Sequence, residues 1–300
     1  MANTPISFDV GADSYTPTVN DIYAMVEKIA KQTIHSVNTF NPLEVFDKGE
    51  IQNGTTIEES VLKLLAEYDY DKTAVDAMKA ADPTFITKYF GTWNEKQFET
   101  TVREDDIRAV LLGEKPVEEI AAKVVGNLSE SNTHRNYKNM KGILSKFSTD
   151  KLAIAEPATI EEFLTLVRNT VDDFTFVNGN NVEDGLETRA RRADIQIIMP
   201  YTLKNKIGVE TLSHLINKED AEIKISIIPI DTTDNKVYIV DKNAILHYKR
   251  VSEVTSQYNA KARLTNYFYT NIDLYGYCPL FKMAWIDVST IMTPAQDGTL

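Results

Sequence analysis

The residue types that most often carry chemistry are few and scattered along this chain. Its four histidines, His35, His134, His214 and His247, lie far apart in the sequence. None has the H-x-x-x-H or H-x-E spacing that brings two metal ligands onto one face. Each reads as a packing or surface residue rather than a ligand. The single cysteine, Cys278, precedes a proline in an aromatic strand region. It reads as a small buried apolar group, not a nucleophile. There is no G-x-S-x-G, no G-x-x-x-x-G-K-[ST] and no G-x-G-x-x-G. The run NGNNVEDG, 178–185, is rich in oxygen ligands but lacks the spaced acids and trailing glutamate of a calcium loop. The carboxylate pairs Glu58-Glu59, Glu118-Glu119 and Glu161-Glu162 sit near helix starts or on polar faces, where capping and solubility account for them. No reaction is singled out, and the expectation is a protein that is not an enzyme and needs no metal or cofactor. The basic knot Arg189, Arg191 and Arg192 stands out in an acidic chain. It is either a solvated strand entry paired with local acids or an intersubunit ion-pair site.

The elements that must position these residues are those of a globular protein. The chain has 300 residues, of which 43% are hydrophobic and 25% charged, and a net charge of -12. That charge argues against gripping nucleic acid over the whole surface, but not against enclosing it. One cysteine allows no intrachain disulfide and suits a reducing compartment. The N-terminus has no signal pattern, and no apolar run approaches the ~20 residues of a membrane span. The chain reads as cytosolic and complete, without repeats.

Residues 1–16 are polar and carry no period. Ile22, Met25, Val26 and Ile29 then mark one face of a helix, packed on its own core or reaching a neighbouring subunit. From Phe40 to Val102 the chain makes a long excursion. Asn53-Gly54 signals a hairpin. TIEESVLKLLAEYDYD fits helix or strand. DKTAVDAMKAADP looks like a helical tip closed by Pro83. FITKYFGTWNEKQFETTVRED is extended in character, with Phe98, Thr100 and Val102 on one face. Two such arms of ~20 residues would reach roughly 65 Å, against a radius of gyration of about 19 Å for a compact body. The excursion either leaves its own subunit or folds back on it as an ordinary insertion.

Asp105 and Asp106 open a short helix, IRAVLLG. Pro116 suits the first turn of the next, whose stripe Val117, Ile120, Ala121, Val124 and Leu128 resumes at Tyr137, Met140, Leu144 and Phe147. Unbroken, 116–147 would be a helix of about 48 Å, but Gly126 and the Ser129–Asn132 run could bend or break it. Thr159 and Glu162 form a capping box. The last third, Ala190 to Val288, reads as a strand, two short helices, the first between Pro200 and Gly208, and then strand after strand. It ends in an aromatic strand pair, LTNYFYTNIDLYGY and PLFKMAWIDV. Such aromatic density suggests a pair covered on both faces.

Three stretches carry a family resemblance. GEIQNGTTIEESVLKLLAEYDYD with PTFITKYFGTWNEKQFETTVRED resembles an extended loop. DDIRAVLLGEKPVEEIAAKVVGNLSESNTHRNYKNMKGIL resembles the helical segment that follows it. ARRADIQIIMPYTLKNKIGVETLSHLIN, with VYIVDKNAILHYKR after it, resembles an axial domain. In this order, over about 40–290, they resemble the major capsid proteins of tailed bacteriophages with the Hong Kong 97-type fold.

The resemblance implies an α+β subunit in five parts. These are an N-terminal arm and helix (1–44), an extended β-hairpin loop (45–102) and a peripheral domain with a long spine helix (103–189). An axial domain (190–255) follows, then return strands of the peripheral domain with a C-terminal tail (256–300). It further implies many self-copies, as pentamers and hexamers, building an icosahedral head shell around double-stranded DNA. Scaffolding, portal or decoration proteins are candidate further partners, with no membrane. Location would be the virion, after assembly in the host bacterial cytoplasm. Candidate intersubunit contacts are Asp71, Lys72, Trp93, Phe98, Arg103, Arg189, Arg191 and Arg192. No position matches the Lys–Asn cross-link that some members carry. Alternatives are an encapsulin-like nanocompartment, an α+β enzyme without a recognisable motif, or a tail or connector protein.

Overall fold

The computed structural model describes residues 38–51, 56–65, 67, 82–103, 117–208 and 225–292. The N-terminal helix, the Asn53-Gly54 turn, the tip around Asp71 and Lys72, the helix after Asp105, the second short helix of the last third and the C-terminal tail lie outside them. Contacts divide the chain into two compact units. One comprises 1–38, 98–130 and 254–269, and the other 39–97, 131–253 and 270–300.

In the second unit the core is a mixed sheet of four strands. These are β5 (Ile195–Pro200), β6 (Ser226–Ile230), β7 (Lys236–Asp241) and β10 (Met283–Asp287), in the order β10-β7-β5-β6. β5 runs parallel to β6 and antiparallel to β7. Its six residues, Ile-Gln-Ile-Ile-Met-Pro, are all buried, as an apolar run covered on both faces should be. Alternate side chains meet different helices. Ile195, Ile197 and Met199 pack with Phe163, Val167, Val171 and Phe174 of helix α2 (Ile160–Thr175). Ile198 faces the opposite way, with Met140, Leu144 and Phe147 of helix α1 (Val117–Asp150). The free edge of β10 is covered by the chain leaving α1, where Ile154 N–H donates to Trp285 O at 3.0 Å and Asp287 N–H to Ala155 O at 3.2 Å. At the other edge, Pro229 in β6 needs no ladder donor.

Local signals act as their chemistry predicts. Thr159 Oγ1 accepts from Glu162 N–H at 3.2 Å, and Glu162 Oε2 accepts from Ala158 N–H at 2.9 Å. Helix α3 (Tyr201–Ile207) starts after Pro200 and stops at Gly208, whose φ of 81° suits glycine. α1 is an unbroken helix of 34 residues, about 51 Å long, so Gly126 and Ser129–Asn132 do not interrupt it.

A second sheet has the order β1-β8-β9-β4, from β1 (Asp47–Glu50), β4 (Asn94–Arg103), β8 (Ile245–Asn259) and β9 (Leu264–Tyr277). β1 lies parallel to β8, with Asp47 opposite His247. The two aromatic strands of the last third are therefore not a pair. β9 joins this sheet, whereas β10 pairs with β7. The turn through Pro279 parts them, with Phe281 N–H donating to Cys278 O at 3.3 Å.

Where α1 faces β9 within the second unit, the contact is polar. Asn132, Arg135 and Asn136, spaced i, i+3, i+4, meet Asn271, Asp273 and Tyr275, spaced i, i+2, i+4. Asn271 Nδ2 donates to Asn132 Oδ1 at 2.7 Å. The Tyr275 hydroxyl lies 2.6 Å from Asn136 Oδ1 and 2.9 Å from Asp273 Oδ2. Arg135 stands 3.7 Å from Asp273. Asn132, Asn136, Asn271 and Asp273 are all buried; these bonds offset part of that burial, while Asn271 Oδ1 and Asp273 Oδ1 have no hydrogen-bond partner.

In the first unit, taken by itself, β4 alternates as expected, with Val102 buried and Phe98 and Thr100 half-buried. Thr101 Oγ1 donates to Asn266 Oδ1 at 2.8 Å. Leu128 of α1 is buried.

Candidate self-assembly surface

The excursion after β1 is a two-stranded antiparallel hairpin, β2 (Ile57–Leu62) with β3 (Phe85–Phe90), registered from Ile57 opposite Phe90 to Leu62 opposite Phe85. The ambiguous TIEESVL stretch is thus strand. FITKYFGTWNEKQFETTVRED is not one extended arm. It breaks at Gly91–Trp93, leaving β3 in the hairpin and β4 in the larger sheet.

Alternation gives the hairpin two unlike faces. Ile57, Val61, Ile86 and Phe90 pack with Leu246, Leu274, Cys278 and Leu280. Two polar ties hold this inner face. The Tyr248 hydroxyl donates to Glu59 Oε1 at 2.8 Å, and Lys88 pairs with Glu183 at 3.5 Å. Burial, then the Glu59 carboxylate, pushes the Tyr248 hydroxyl well above its ordinary value. Burial likewise pushes the Cys278 thiol up to about 11, as befits an inert packing group.

The outer face carries Glu58, Ser60 and Leu62 opposite Tyr89, Thr87 and Phe85. Ser60 and Thr87 hydroxyls lie 2.8 Å apart. Leu62 and Phe85 form a cross-strand apolar pair that stays 53% and 59% exposed, and Leu64, Leu65 and Tyr89 beside them are exposed too. Several large apolar side chains on one ribbon exceed the scatter of single surface hydrophobics. A surface groove of about 490 Å³ lies alongside, lined by Tyr89, Phe90, Ile143, Tyr277 and the lysines Lys88 and Lys146.

The other residues expected at subunit contacts are dispersed. Trp93 sits at the turn between β3 and β4, half-buried in the hairpin's core, with the Arg250 guanidinium 6.0 Å from its ring. Phe98 is half-buried in β4, and Arg103 is exposed at its end. Arg189 and Arg191 are exposed, and Arg192 pairs with Asp172 at 3.2 Å, a local acid. Asp71 and Lys72 lie outside the described residues.

Loop 178–185, rich in oxygens, closes on the side chain of Lys282. Lys282, wholly buried, donates to Asn178 O at 3.0 Å, to Asn180 O at 2.6 Å and to Asn178 Oδ1. Among the described residues no group of three or more His, Cys, Asp or Glu side chains is placed to hold a metal, and no helix is long and apolar enough to cross a membrane. His134 is exposed and His247 is buried between strands. His35 and His214 lie outside the described residues.

A family model described as Phi29-like phage major capsid protein matches residues 7–286. The major capsid protein of Bacillus phage GA-1 is 23% identical over 279 residues, covering 87% of this chain and 59% of that protein. The chain spans 59–64% of the length of the curated relatives it matches. Among solved structures, the capsid structure of Staphylococcus phage Andhra aligns with a TM-score of 0.67 at 13% identity, covering 87% of each chain. The capsid structure of the Cyanophage P-SCSP1u aligns with a TM-score of 0.60 at 10% identity, over 92% of this chain and 99% of that one. At these identities the structures share the fold with this chain, a mixed α+β architecture.

Proposed function

The chain belongs to the Phi29-like phage major capsid protein family, and from that membership we propose that copies of it build the icosahedral head shell of a tailed phage around double-stranded DNA. The observation that carries the reading is the two-faced hairpin. Its inner face is fastened to its own body, while Leu62 and Phe85 offer an apolar pair outward. A second copy of the chain is the occupant we assign to that face. Each contact is moderate, and closure of a lattice of pentamers and hexamers multiplies them.

On this reading the chain is structural, not catalytic. Residues 45–102 are the extended loop, α1 is the spine helix, and 190–255 is the axial domain, whose sheet takes β10 as its fourth strand. Asp71, Lys72, Trp93, Phe98, Arg103, Arg189, Arg191 and Arg192 remain the proposed intersubunit positions. Scaffolding, portal or decoration proteins are the further partners, and assembly takes place in the bacterial cytoplasm. The net charge of -12 suits a container whose wall repels packed DNA weakly.

Two variants test the reading. Deleting the loop tip, residues 70–83, leaves a folded, soluble subunit and abolishes large assemblies. The paired change Leu62→Asp with Phe85→Asp does the same, because both side chains are already exposed in the single chain. Sedimentation separates the outcomes: shells formed by either variant remove the hairpin's role.

A further inference from the structure

We propose that His247 is a proton-operated clamp that fastens β1, the stem leading into the hairpin, to β9. The imidazole is 2% exposed and lies in β8, the strand between those two. Its Nδ1 faces Asp47 Oδ1 of β1 at 3.8 Å, and its Nε2 faces Asp273 Oδ1 of β9 at 3.7 Å. Both ring nitrogens and Asp273 Oδ1 are buried without a hydrogen bond. A neutral imidazole has one N–H and one lone pair, so it presents a lone pair to one of the two carboxylates. The doubly protonated ring has two donors for two acceptors. A second proton therefore gives each ring nitrogen a carboxylate acceptor, Asp273 Oδ1 having no other partner and Asp47 Oδ1 also accepting from Gly49 N–H at 2.9 Å.

Charged and polar groups from β8, α1 and β9 flank the ring and its two carboxylates. From β8 itself, Lys249 donates to the other Asp47 oxygen, Oδ2. From α1, Arg135 lies 3.7 Å from the other Asp273 oxygen, Oδ2. From β9, the Tyr275 ring stacks on His247 at 4.8 Å and 6°, and its hydroxyl is also on Asp273 Oδ2. Two carboxylates are thus balanced by two fixed cations, and the oxygens facing the imidazole are the ones those cations do not take. β1 is four residues long and its register with β8 shifts between Asp47 and Glu50; Ile51 N–H to Lys249 O, at 2.8 Å, continues it, and Lys48 Nζ donates to Asn243 Oδ1 at 3.2 Å. Acidification over the range where histidine gains its proton should draw the stem inward and steady the root of the hairpin.

The clamp works within one chain and does not rest on the shell reading. The test is hydrogen exchange of the amides of residues 47–51 in the full chain, corrected for intrinsic rates, at about pH 7.5 and about pH 5.5. Protection rises severalfold on acidification in the wild type and stays level in His247→Gln. Equal pH dependence in both, or a fall in the wild type, overturns the clamp. Should the variant fail to fold, ¹⁵N-histidine spectra of the wild type decide. Protonation of both His247 nitrogens in step with β1 protection supports the clamp. A ring that stays neutral at the lower pH, or gains its proton without any change at β1, overturns it.

Discussion

The ammonium of Lys282 sits 3.0 Å from the backbone oxygen of Asn178, at the start of the loop 178–185. Lys282 is fully buried, and Asn180 O, at 2.6 Å, completes the cage with Asn178 Oδ1. Asp173 anchors Asn178 in turn, accepting from its Nδ2 at 3.0 Å through both the carboxylate and the backbone oxygen. An internal ammonium thus ties the loop to β10. Replacing Lys282 with methionine keeps the stem's volume and orphans the oxygens, at a cost of about 2–4 kcal/mol. Urea unfolding measures this loss, and added calcium should not restore it.

The polar seam between α1 and β9 makes a second prediction. Asn132 and Asn271 are buried and bonded to each other at 2.7 Å. Changing Asn132 to alanine strands the Asn271 amide, and changing both removes the stranded group. A double-mutant cycle on unfolding free energy should therefore give a coupling of about 1 kcal/mol. Additive single effects would mean that the seam does not act as a unit.

A third prediction concerns acid. The Tyr137 hydroxyl donates to Asp231 Oδ1, and Lys141 Nζ lies 3.0 Å from the same oxygen. The Tyr137 bond, opposed by slight burial and helped by Lys141, holds the Asp231 carboxyl below its ordinary value of 3.8. A carboxyl depressed by folding stabilises the chain above its unfolded value, and that contribution is lost as pH falls through the folded value. The stability gap between wild type and Tyr137→Phe, open at pH 7, should narrow in stronger acid, the part due to Asp231 N–H on the Tyr137 hydroxyl (3.1 Å) remaining.

What could be read before the fold was known, and what could not, divides along physical lines. Signals confined to a few residues acted as expected. Thr159 caps α2, Pro200 and Gly208 bound α3, and Phe98, Thr100 and Val102 share one face of β4. Relations between remote residues were hidden. The Ser129–Asn132 run read as a place where α1 could bend or break, because nothing local announces that Asn271 and Asp273 will meet Asn132, Arg135 and Asn136. β9 and β10 looked like partners because a period of two identifies strands without saying which sheet each joins. His247 looked like a packing residue because its carboxylates lie at Asp47 and Asp273. The outward pair Leu62 and Phe85 emerged only once the register of the hairpin was known.

The central claim is that copies of this chain associate into a closed shell through surfaces exposed on the single subunit. The most direct test is negative-stain imaging of the purified full chain after size exclusion at two salt concentrations. The account predicts closed particles tens of nanometres across, or five- and six-membered rings. A uniform particle of one or two subunits under every condition would contradict it.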